Sequence, residues 1–202
     1  MKTYISILLL GFAVTLNAQT ANDLQTAFSK SYSHEETKDY DAAISDLANY
    51  YDASSYEMNV RLGWLNYYTG DYANSLKYYK IAMDLMPYSI EAKFGYVLPL
   101  SAMGNWNEVT TIYKEILKTD PQNSIANYRL GVIYYERAEY EASLKFTEKV
   151  VNMYPYDYDS VILLAWINLK REDYRKAKIL FNKSLLISPG NLSAEEGLKL
   201  IQ

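Results

Sequence analysis

From residue 56 onward, apolar side chains recur at helical spacing in runs broken by short polar pairs. Val60, Leu62, Gly63 and Tyr67 lie on a 3.6-residue period and predict one helix. After Gly70-Asp71 the pattern resumes with Tyr72, Ser75, Leu76, Tyr79, Ala82, Met83 and Met86, a second helix, which Pro87 ends. Proline has no N–H to donate and pushes the residue before it out of the helical region. The same two-helix pattern returns at a fixed interval. Pro87, Pro121, Pro155 and Pro189 stand 34 residues apart, as do Tyr72, Trp106, Tyr140 and Tyr174, each behind a turn-like pair: Gly70-Asp71, Gly104-Asn105, Ala138-Glu139, Glu172-Asp173. A period of that length means stacked units that bury their faces against one another.

The unit resembles the tetratricopeptide repeat. In residues 56–89, Leu62-Gly63, Gly70-Asp71-Tyr72, Ser75, Tyr79, Ala82 and Pro87 sit where that family's signature expects them. Residues 124–157 match through Leu130-Gly131, Tyr134-Tyr135, Tyr140, Ser143 and Pro155, and residues 158–191 through Leu164-Ala165, Tyr174, Ala177, Phe181, Ser184 and Pro189. Small residues on facing helices, Gly63 with Ser75, Gly131 with Ser143, Ala165 with Ala177, allow the axes to approach closely. The resemblance implies an all-α, right-handed superhelical solenoid. It would hold about five helix-turn-helix repeats, near 21–55, 56–89, 90–123, 124–157 and 158–191, and a capping helix over 192–202, as one continuous domain.

Two units depart from the pattern. Residues 90–123 carry Val97, Val109 and Ile116 at the small positions and Pro99 inside the first helix, where a kink is expected, either a tolerated bend or a hinge. The first unit keeps Asp39-Tyr40, Ala43 and Leu47 but spaces Tyr40 from Tyr72 by 32 residues. Its first helix is expected near Asp23 to Ser33, with Ser33-His34-Glu35-Glu36-Thr37-Lys38 as a longer loop. Atypical ends are usual in stacked repeats, because one face must meet water.

Ahead of the repeats, Met1-Lys2 and the apolar run Ile5 to Leu16 read as a signal peptide. Twelve helical residues rise about 18 Å, short of the ~30 Å hydrocarbon core. Ala18 offers a cleavage point, and Leu16-Asn17-Ala18-Gln19 resembles the signal ends of secreted Bacteroidetes proteins. The expectation is export to the periplasm or beyond, with no transmembrane segment in the mature chain. Because the sequence has no cysteine, there is no lipid tether at the cleavage point and no disulfide.

Composition narrows the chemistry. Twenty Lys and Arg against 24 Asp and Glu give a net charge of −4, which offers no cationic field for nucleic acid. With a single histidine and no cysteine, thiolate nucleophiles and multi-histidine metal sites are gone, and no phosphate-binding, zinc or nucleophile-elbow motif occurs. No catalytic residue, metal or cofactor is expected. His34 reads as a loop residue. Asp39, Asp41, Asp71, Glu172 and Asp173 read as acids serving helix starts. Asp157-Tyr158-Asp159 lacks the glycine and glutamate of a calcium loop. Asp159-Ser160-Val161 resembles a Bacteroidetes O-glycosylation acceptor.

Of thirty aromatic residues, 22 are tyrosine, a ring that packs while its hydroxyl meets water or a partner. The resemblance implies a concave groove lined by the first helix of each unit at its second, fifth, ninth, twelfth and thirteenth positions. The candidate site is then Val60, Trp64, Tyr67 and Tyr68, followed by Phe94 and Leu98, by Tyr128, Val132 and Tyr135, and by Ile162 and Trp166. Trp64 and Trp166 are either ligand-facing or inter-repeat packing. Glu57, Glu91, Glu136 and Asp159 give an acidic edge, and the absence of lysine, arginine and asparagine at the fifth and ninth positions excludes the family's carboxylate clamp. The expected function is non-enzymatic: an envelope scaffold that holds a protein segment with apolar anchors and basic flanks. A glycan or cell-wall module and a self-associating structural protein are the alternatives.

Overall fold

Turn chemistry sets the helix pairs. At the end of each first helix, one residue enters the left-handed region and reverses the chain: Lys38 at φ 62°, Gly70 at 83°, Gly104 at 75°, Ala138 at 57° and Glu172 at 61°. Only glycine takes that conformation freely. The computed structural model describes residues 22–201; the expected signal peptide lies outside them. Among the described residues all regular structure is helical. The helices are α1 (22–36), α2 (Tyr40–Ala48), α3 (Tyr56–Thr69), α4 (Tyr72–Leu85), α5 (Ile90–Ala102), α6 (Trp106–Thr119), α7 (Ser124–Glu136), α8 (Tyr140–Met153), α9 (Tyr158–Lys170), α10 (Tyr174–Ile187) and α11 (Leu192–Lys199). The chain divides into two compact units, one ending at Gly104 and the other beginning at Asn105. Within the first unit α3 packs on α4, and within the second α7 packs on α8, α9 on α10 and α10 on α11. No described helix is long and apolar enough to cross a membrane.

Side chains at the helix starts accept the free N–H groups there. Ser55, Ser89, Asn123, Asp157 and Asn191 cap α3, α5, α7, α9 and α11, while Asp39, Asp71 and Asp173 cap α2, α4 and α10, as expected of those acids. Glu172 instead occupies the left-handed turn. At the fourth position of three first helices a side chain folds back on the preceding loop. Asn59 donates to Ala53 O and Ser55 O, Lys93 to Pro87 O, and Asn127 to Pro121 O and Asn123 O.

The first unit corrects two expectations. The polar stretch from Ser33 is not a long loop: α1 runs on through Glu36, leaving Thr37-Lys38 as the turn. His34, expected in a loop, is helical, with Nδ1 2.7 Å from Asp46 Oδ2 on α2. Glu35 is held against α3 by Arg61 and Trp64. The 32-residue spacing arises because α2 is five residues shorter than α4 while the loop that follows it, residues 49–55, is three residues longer than the one after α4. Pro99 does not end its helix, which continues to Ala102, and Met103 N–H closes on Pro99 O at 3.0 Å.

Small residues bring paired helices together and add a hydrogen bond. Ser75 Oγ donates to Gly63 O at 2.8 Å, and Ser143 Oγ to Gly131 O at 2.7 Å. On α4, α8 and α10 one side chain then fills the space between two neighbouring helices. The Tyr79 ring lies against Gly63, where an added Cβ would meet it at 2.9 Å, and against Gly95 of the next pair, closer still. Phe181 occupies the same place beside Ala165 and Gly197. In the unit between, Thr147 stands there and Leu163 fills the remainder beside Gly131. Leu47, Met58 and Leu65 are fully buried in the first unit, and Phe181 and Val161 in the second; each such side chain contributes about 1.5–3 kcal/mol.

Candidate partner-binding face

Within each first helix, buried and accessible positions separate cleanly. On α3, Met58, Asn59, Leu62, Gly63, Leu65 and Asn66 are buried, whereas Val60, Trp64 and Tyr67 are half-buried and Tyr68 is 44% exposed. Phe94 and Leu98 on α5 are half-buried too. In the second unit the same holds for Tyr128, Val132 and Tyr135 on α7 and Ile162 and Trp166 on α9. Each unit therefore presents an apolar, aromatic stripe along its first helices, with Glu57, Glu91, Glu136 and Asp159 exposed beside it.

The rings gather at the turn end of α3. Tyr68 stacks on Tyr40 at 5.0 Å and meets Trp64 edge-on at 4.6 Å and Tyr67 at 5.3 Å. In the second unit Tyr135 lies 5.7 Å from Tyr140. Both tryptophans have their N–H groups engaged inside the fold. Trp64 donates to Glu35 Oε1 at 2.5 Å, and Trp166 donates to Ser193 Oγ at 2.9 Å while packing edge-on against Phe181 at 5.1 Å. Tyrosines 67, 68 and 135 are the more accessible part of the stripe in chemical terms, because a phenol hydroxyl at a wet edge can bond a partner.

Charge supports this arrangement. Burial opposes ionisation of Glu35, but its bonds from Arg61 and Trp64 and the Arg61 charge hold the carboxyl below the usual glutamate range. Arg61 itself is 5% exposed, bonded also to Ser31 Oγ and stacked under the Tyr32 ring at 3.9 Å. Burial pushes the Tyr128 and Tyr135 phenols up, with Asp159 adding at Tyr128 and Tyr140 and Glu136 at Tyr135, so both are hydrogen-bond donors at neutral pH. The Glu35–Arg61 tie went unforeseen, because its partners lie 26 residues apart and the helix expected from Asp23 to Ser33 ended before Glu35.

Among the described residues no group of three or more histidine, aspartate or glutamate side chains could hold a metal ion. Ser160 is 1% exposed, which corrects its reading as a glycosylation acceptor: the folded chain does not offer this hydroxyl to an enzyme.

Residues 126–155 match the family model described as tetratricopeptide repeat. No curated protein matches the sequence. Among solved structures, a tetratricopeptide repeat protein from Parabacteroides merdae is similar at 18% identity, over 89% of this chain and 72% of that one, with a TM-score of 0.76. MamA from Desulfovibrio magneticus RS-1 is similar at 17% identity, over 84% of this chain and 98% of that one, with a TM-score of 0.70. A further MamA structure gives 16% identity, 89% and 96% coverage and the same TM-score of 0.70. Helix pairs, turns and relatives agree: this chain has the tetratricopeptide-repeat fold, and residues 126–155 carry the family's own match.

Proposed function

We propose that the protein is an exported, non-enzymatic interaction scaffold of the cell envelope that holds a segment of another protein against its first-helix stripe. Such a role is typical of the tetratricopeptide-repeat fold. The observation that carries the reading is the half-exposed row of apolar and aromatic side chains in each unit, Tyr67 and Tyr68 in the first and Tyr135 in the second. Aromatic anchors supply much of the affinity at protein interfaces, and the exposed acids beside them favour basic flanks on the partner. Export rests on the apolar run at Ile5 to Leu16, and the similarity of Leu16-Asn17-Ala18-Gln19 to Bacteroidetes signal ends supports the same compartment.

The test places a photo-crosslinking phenylalanine analogue at Tyr68 or Tyr135 in the chain from residue 19 and exposes it to an envelope extract. One protein cross-linked from both positions, and lost from the Tyr67→Ala, Tyr68→Ala, Tyr135→Ala variant with helicity unchanged, is the expected result. Cross-links to this chain alone would replace the scaffold with self-association, and polysaccharide adducts would replace it with glycan binding.

A further inference from the structure

We propose that the cleft formed by the first turns of α7 and α9 and the loop at residues 154–157 binds a basic side chain, lysine or arginine, of a peptide. This rests on the scaffold reading for the ligand being a peptide and adds the chemistry that selects it. The cleft encloses about 730 Å³ within the second unit. Its walls are Tyr128, Tyr154 and Tyr156, with Ile125 and Met153 between them. Ile125 is 55% exposed, Tyr154 53% and Tyr156 73%, so the chain leaves this wall uncovered.

Two carboxylates border the same space. Asp157 accepts the Ser160 N–H through Oδ2 at 3.0 Å, leaving Oδ1 unengaged, and Asp159 makes no hydrogen bond or ion pair among the described residues. Both lie near the Tyr128 hydroxyl: burial first, and then Asp159, push that phenol up, Arg129 opposes them and Asp157 adds. Arg129 is the one cation of the wall, outnumbered by two aspartates. Independently of these charges, Ser160 also borders the cleft, 1% exposed, with an Oγ that has no partner. That Oγ is closed over by its neighbours, so the charged groups the cleft offers a ligand are the two carboxylates and Arg129.

Only a basic side chain uses all of these features. Its methylene stem packs along the tyrosine and isoleucine faces, and its cationic head meets aromatic faces and carboxylates together. An acidic side chain would meet two aspartates, and a purely apolar one would leave both carboxylates as they are. The repeat itself does not require this set. Where Tyr154-Pro155-Tyr156-Asp157 stands, the other units carry Met86-Pro87-Tyr88-Ser89, Asp120-Pro121-Gln122-Asn123 and Ser188-Pro189-Gly190-Asn191.

The experiment titrates the chain from residue 19, carrying ¹³C-labelled tyrosine, with acetylated tripeptide amides Ala-Arg-Ala and Ala-Lys-Ala, beside norleucine and glutamate counterparts. The basic peptides are expected to shift the Tyr128, Tyr154 and Tyr156 ring signals and to bind at least about tenfold tighter than the norleucine peptide. Asp157→Asn with Asp159→Asn should erase that preference with helicity unchanged, because asparagine also caps a helix. Norleucine binding as tightly as arginine, a preference that survives the double variant, or no shift at about 10 mM peptide would each overturn the proposal. Cross-linking at Tyr68 that persists in the double variant while the tripeptides fail would remove this cleft and leave the scaffold standing. Tripeptide binding without a cross-linked partner would do the reverse.

Discussion

At Gly95 the backbone passes so close to the Tyr79 ring that a methyl group has no room. Gly95→Ala should therefore destabilise the protein by about 1–3 kcal/mol, the usual cost of overpacking, read as a lower urea midpoint; Tyr79→Leu in the same chain should recover part of the loss. Glu35 gives a pH dependence. Its carboxyl is held below the usual range in the folded state, so its contribution is present at neutral pH and is lost as pH falls below about 4.3, the ordinary glutamate value. Glu35→Gln should flatten that acid limb in unfolding curves. At pH 7 it should cost about 3 kcal/mol, since it leaves Arg61 buried without its anion. The small residues at positions 63 and 75 were legible in the sequence because size alone marks them. The Ser75 hydroxyl bond to Gly63 O was not, because a hydroxyl that fits a tight crossing reads the same whether or not it donates.

Elements were legible wherever the 34-residue period held. They were misread in the first unit, where the run Ser33 to Lys38 is polar enough to pass for a loop but is helical as far as Glu36, held by bonds to other helices, His34 to Asp46 and Glu35 to Arg61. Local pattern cannot show a partner supplied from a distance. The turns give a clean pair of predictions. Gly70 is left-handed at φ 83° with nothing within 4 Å of an added Cβ, so Gly70→Ala should cost about 1–2 kcal/mol through backbone strain alone. Ala138 already bears that strain at φ 57°, and Ala138→Gly should raise stability by about 0.5–1 kcal/mol, both measured by thermal melting.

On the scale of the molecule, the last helix covers what the repeats leave open. Ala194 and Gly197 of α11 are buried, with Gly197 against the Phe181 ring. Ending the chain at Asn191 should remove about 2–3 kcal/mol of burial around Phe181 and also free the Trp166 N–H from Ser193. A red shift in Trp166 emission, with Trp64 and Trp106 replaced by phenylalanine, would report it. The stripe was legible as a set of positions, because a repeat fixes which side of each helix is left uncovered. What the tryptophans do was not, because indole N–H partners come from Glu35 and Ser193, outside the repeat in which each tryptophan sits.

The side chain wedged between successive first helices also decides which repeat may follow which. Tyr79 is matched by Gly95 in the pair after it and Phe181 by Gly197, whereas the smaller Thr147 is followed by Leu163. In these three cases a bulky ring goes with bare backbone downstream and a short side chain with a filled position. Moving residues 56–89 directly ahead of residues 158–191 would set the Tyr79 ring onto Leu163. The units share a period but are not interchangeable parts, and any rearrangement of this array, by recombination or by design, has to carry each wedge together with the first turns of its successor.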